Sequence, residues 1–87
     1  MKKILVVEDE TTLREGIATT LEAHGDFEVI AVAENGETIR ELKESGQSLD
    51  VVLLDLGLEK ANSLDLMKLL RSEMPQAHVI AMDILPE

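Results

Sequence analysis

The sequence predicts an α/β protein, a small parallel β-sheet with helices on both faces. Short runs rich in Val, Ile and Leu alternate with segments of helical periodicity, in the order β-α-β-α-β-α-β. The runs "ILVV" and "VVLL" are continuously apolar rather than alternating, which marks strands buried on both faces of a parallel sheet. Successive predicted strands also end in acids: Glu8-Asp9, then Asp55, then Asp83.

The elements follow in chain order. Lys3 to Val7 form the first strand, closed by Glu8-Asp9-Glu10. In "TTLREGIATTLEAHG", Leu13, Ile17 and Leu21 recur every four residues, the spacing of one helical face. Thr12 and Glu15 have the spacing of a capping box, and Gly25 sits where a left-handed C-terminal cap belongs. "FEVIAVA" reads as the second strand. "NGETIRELKESG" reads as a short amphipathic helix with Asn35 as N-cap, Ile39 and Leu42 inward and Gly46 as its stop. "LDVVLLD" is the third strand and "GLEKANS" a loop. Asn62 or Ser63 caps a helix from Leu64 to Arg71, which ends before Pro75. "HVIAMD" is the fourth strand.

The composition bounds the function. The chain has 87 residues, read as a single domain over residues 1–87, with 45% apolar and 30% charged residues. Its net charge of −10 repels a phosphate backbone, and Phe27 is its only aromatic residue, so a direct nucleic-acid partner is not expected. With no cysteine there is neither a disulfide framework nor a thiolate metal site. The apolar run after Lys2-Lys3 is interrupted at Glu8, too early for a signal peptide, and no run has the length of a membrane span. These features lead to the expectation of a soluble, cytoplasmic protein.

In a parallel sheet the C-terminal strand ends share one edge. The flavodoxin-like order 2-1-3-4 makes the first and third strands neighbours, bringing Glu8, Asp9 and Asp55 to the switch point where such sheets bind ligands, with Asp83 one strand farther along. Two carboxylates about 4 Å apart repel by roughly 4 kcal/mol at an effective dielectric near 20, so either some protonate or a cation joins them. Hard oxygen ligands of this kind suit Mg²⁺. The turn "EDETTL" has no glycine and three acids, which excludes a dinucleotide or P-loop site. His24 and His78 have no serine partner in the pattern and read as surface residues.

With those residues in place, "KILVVEDE", "ENGETIREL", "DVVLLDL" and "SLDLMKLLR" resemble the receiver domain of bacterial two-component response regulators, the CheY-like fold. The resemblance implies that Asp55 is the phosphoacceptor. It implies a Mg²⁺ site made by Asp9, Asp55 and the backbone carbonyl of Gly57, with Glu8 acting through water. A sensor histidine kinase would be the phosphoryl donor, and an output domain not present in this chain, DNA-binding in style, would be the target of regulation. Three departures stand out. The family's fourth strand usually ends in Ser or Thr, where this chain has Asp83. The loop after the phosphoacceptor usually carries Met-Pro and a Gly, where this chain has Leu58-Glu59 and Ser63. The family's fifth βα unit, with its lysine, has no counterpart.

A sheet lacking that unit is expected to leave one face of "VVLL" and "VIAM" uncovered and the fourth strand as an unpaired edge, so the fragment is expected to self-associate, to swap segments, or to come from a longer chain. Two other functions keep parts of the pattern. Asp83 is compatible with an atypical receiver that works by partner binding or dimerisation without phosphorylation. An aspartate-nucleophile phosphatase also begins from a strand-ending Asp, but it resembles Asp-x-Asp, whereas this chain reads Asp55-Leu56-Gly57.

Overall fold

The computed structural model describes residues 1–58 and 62–82. Four strands, β1 (Lys2–Val7), β2 (Phe27–Ala33), β3 (Val51–Asp55) and β4 (His78–Met82), alternate with three helices, α1 (Thr11–Ala23), α2 (Gly36–Ser45) and α3 (Ser63–Glu73). All strand pairs are parallel and the sheet order is β2-β1-β3-β4, as the sequence predicts for a flavodoxin-like fold. Val7 pairs with Leu54 and Asp55 with Met82, so the central strands end level with one another.

Local chemistry sets the helix boundaries. Asn35 caps α2 by accepting from the Glu37 N–H at 2.9 Å, and Gly46 ends it in the left-handed conformation at φ 75°. Asn62 caps α3, its Oδ1 accepting from Leu64 and Asp65. Gly25, with φ 77°, turns the chain after α1. The start of α1 differs from the capping-box expectation. Thr12 lies inside the helix, and the cap is Glu10, whose two carboxylate oxygens accept from Thr12 N–H at 3.2 Å and Leu13 N–H at 2.7 Å. A glutamate reaches this position because its longer side chain can fold back over the first turn.

The two faces of the sheet are packed unequally. On one, α2 and α3 pack against each other over Leu5, Val7, Ala33, Val52 and Leu54, adding Ile39, Leu42, Leu66, Leu70 and Met74. By strand alternation the other face carries Ile4, Val6, Val51, Leu53 and Ile80. Among the described residues only α1 lies against it, over β1 and β2, and α1 buries no residue fully. Val51 and Leu53 are half-buried and Ile80 is 49% exposed. "VVLL" is therefore, among the described residues, closed on one face only, which corrects the expectation of a strand buried on both and agrees with the expected uncovered face. Among the described residues β4 pairs only with β3.

Candidate functional site

The acids converge where β1 and β3 end. Glu8 follows β1 with its N–H bonded to the Ala33 carbonyl at 2.9 Å, which continues the β1–β2 ladder one residue beyond the strand. Asp55 is the last residue of β3, and the bond from Leu56 N–H to the Met82 carbonyl at 2.8 Å holds the strand straight past it. Glu8, Asp9 and Asp55 each offer a carboxylate oxygen, and those oxygens lie within 4.8 Å of one another. Glu8 is 1% exposed and Asp55 6%.

Burying two carboxylates side by side costs free energy unless something offsets it. One oxygen of each finds a backbone donor. Glu8 Oε1 accepts from Glu10 N–H at 3.1 Å, and Asp55 Oδ1 accepts from Gly57 N–H at 2.8 Å. Glu8 Oε2 is buried with no donor among the described residues. A proton supplies what is lacking: burial first, then the hydrogen bond to Asp55 and the charges of Asp55 and Asp9, push the Glu8 carboxyl up to about 7 despite the opposing Glu10 N–H. The start of α1 lies beside the acids, so its positive end favours the anionic form in the same place.

A cation could supply the same compensation, and the site passes that test. Its donors are hard oxygens, at least three in number, and one buried oxygen awaits a partner. Of the residues singled out in the sequence, Glu8, Asp9 and Asp55 come together. Gly57 adjoins them through its N–H bond to Asp55. Asp83 and Glu59 lie outside the described residues.

Two side chains that sequence patterns did not single out as site residues brace the acids. Arg14, on the first turns of α1, donates from Nη1 to the Glu8 carbonyl and to Glu34 Oε1, both at 3.1 Å. Ser63 donates from Oγ to the Asp55 carbonyl at 2.8 Å. Only Ser63 left a trace in the sequence, as a residue standing where the resembled family has glycine.

A parallel sheet of order 2-1-3-4 with acids at the ends of its central strands defines the receiver class of α/β proteins, and comparison with known proteins agrees. The profile of the response regulator receiver domain matches residues 4–84, and the chain belongs to that family. It is 34% identical over 80 residues to the transcriptional regulatory protein LnrK of Bacillus subtilis, covering 92% of this chain and 36% of LnrK. The MaeR response regulator bound to beryllium trifluoride superposes with a TM-score of 0.80 at 31% identity, covering 100% of this chain and 70% of that one. A DNA-binding response regulator of the LuxR family from Staphylococcus aureus does so with a TM-score of 0.79 at 25% identity, covering 100% and 72%. The chain thus spans 36% and 34% of the first two curated relatives it matches. Among the described residues no helix is long and apolar enough to cross a membrane.

Proposed function

We propose that this chain is a phosphorylation switch, with Asp55 as the phosphoacceptor, working in the cytoplasm beneath a sensor histidine kinase. The observation that carries the proposal is the convergence of Glu8, Asp9 and Asp55 on one buried spot with an oxygen of Glu8 left without a donor. Asp9, Asp55 and the Gly57 carbonyl would hold Mg²⁺, with Glu8 joining through a water molecule. Bound there, the ion would supply charge neutralisation to the attacking Asp55 carboxylate and to the oxygens of the phosphoryl group in transfer.

An Asp55 carboxylate oxygen attacks the phosphorus of a phosphohistidine. The O–P bond forms as the N–P bond breaks, and the imidazole leaves with the electron pair and takes up a proton. The Gly57 N–H on Oδ1 fixes the carboxylate's rotation, which favours attack through a defined oxygen. Asp55 itself carries the phosphoryl group after the step, so in this reading the chain is an acceptor with at most slow self-dephosphorylation and not an enzyme. The regulated partner would be an output domain of the DNA-binding type, in keeping with relatives named as transcriptional regulators. The open face around Leu53 and Ile80, and the β4 edge, would take a second copy of this chain. Dynamic light scattering that shows a monomer at high concentration would remove that part of the proposal.

Incubation with Mg²⁺ and a small phosphodonor, followed by intact-mass measurement, tests the switch. One phosphoryl adduct is expected on the wild type and none on Asp55→Asn. Asp83, where the family usually has Ser or Thr, favours a second reading, an atypical receiver acting by association alone. Absence of any adduct, with partner binding intact, would select it.

A further inference from the structure

Ser63, at the start of α3, is hydrogen-bonded to the main chain of Asp55. Ser63 opens α3, yet its hydroxyl is not needed as a cap, because Asn62 already accepts the N–H groups of Leu64 and Asp65. Instead Ser63 Oγ donates to the Asp55 main-chain carbonyl, eight residues back, at 2.8 Å. The Gly57 N–H holds Asp55 at Oδ1, and Ser63 adds a hold on its main-chain carbonyl. The peptide plane between Asp55 and Leu56 is thereby held on both sides, its N–H by the Met82 carbonyl and its carbonyl by Ser63. That plane sets both the rotation of the Asp55 side chain about the strand end and the direction in which the chain enters Gly57.

We propose that Ser63 is a positioning residue for Asp55, orienting its carboxylate and the Gly57 peptide toward the cation and the phosphoryl donor. The inference rests on the phosphoacceptor role proposed above. Ser63 touches no reacting atom in this scheme and acts only through the Asp55 carbonyl. In this chain the hydroxyl supplies a hydrogen bond that the glycine usual in the family cannot make, so the effect follows the donor and not the volume of the side chain.

The test compares Ser63→Ala, Ser63→Thr and a control, Ser45→Ala. Ser45 also donates to a main-chain carbonyl at 2.8 Å, that of Leu42, but at the far end of α2. Three quantities are read on the full chain: amide hydrogen exchange at Gly57, the Mg²⁺ dissociation constant, and the rate of adduct formation with a small phosphodonor. Loss of a hydrogen bond of ordinary net strength predicts, for Ser63→Ala, about three- to tenfold faster Gly57 exchange, with Mg²⁺ binding weakened and the phosphorylation rate lowered over a similar range. Ser63→Thr restores all three, and Ser45→Ala changes none.

Wild-type values in Ser63→Ala would overturn the proposal, as would a Ser63→Thr variant as impaired as Ser63→Ala. An adduct on Asp55→Asn, or none on the wild type, would instead overturn the phosphoacceptor role. Gly57 exchange and Mg²⁺ affinity would still decide whether Ser63 positions the site.

Discussion

The two faces of this sheet solve the same problem with unequal means. The face under α2 and α3 is closed by Ile39, Leu42, Leu66 and Leu70, each from a helix with its own asparagine cap. Among the described residues the face under α1 has a single helix without a fully buried residue, and Leu53 is half-covered and Ile80 at the surface. The acids sit at the edge where both faces meet, beside the start of α1. The strands that carry the acids are packed on the closed face, while the helix beside the acids, α1, buries no residue fully.

The largest effect that would test this contrast is on the closed face. Leu70→Ala empties a fully buried position and should lower unfolding stability by about 3 kcal/mol, measured by denaturant titration. A loss under about 1 kcal/mol would mean that this face is not the anchor described.

At the edge between the faces, the expected change is in cation affinity. Glu8 is raised from 4.5 to about 7 in the folded chain. Without a cation the folded state therefore holds more protons than the unfolded state between those values. The stability that protonated Glu8 contributes is present at low pH and lost as pH rises toward 7. A cation reverses the preference by favouring the ionised form. Mg²⁺ should accordingly bind about tenfold more weakly at pH 6 than at pH 8, read by calorimetric titration. Glu8→Gln should flatten that dependence.

Smaller still is the effect of the cap on the open face. Because α1 lacks buried anchors, it depends on Glu10, and Glu10→Ala should cost about 1 kcal/mol in thermal or chemical unfolding. The smallest effect belongs to Ile80→Lys. At 49% exposure it should change monomer stability by no more than about 0.5 kcal/mol, while reducing any self-association seen by sedimentation.

Much of this was legible in the sequence because the signals are local. Asn35 by its side chain and Gly46 by its backbone freedom bracket α2, and the apolar runs with strand-end acids, once the flavodoxin-like order is assumed, bring Glu8 and Asp9 to Asp55. What was not legible depends on residues distant in the chain. Whether Val51 and Leu53 are covered depends on helices elsewhere, so an apolar run reads as buried on both faces when only one is closed. The capping-box spacing at Thr12 lost to Glu10, whose carboxylate takes two backbone donors at once. Arg14 and Ser63 act across six, twenty and eight residues, separations to which periodicity is blind. The raised Glu8 pKa arises from burial against Asp55, which exists only once β1 and β3 are paired.

The central claim is that Glu8, Asp9 and Asp55 form one cation site at this edge. Mg²⁺ titration followed by carbon NMR of the side-chain carboxyls tests it most directly. The account predicts a single saturable ion whose shifts concentrate on Glu8, Asp9 and Asp55 and whose affinity falls in Asp9→Asn. Shifts spread over the surface acids, with those three unmoved, would contradict it.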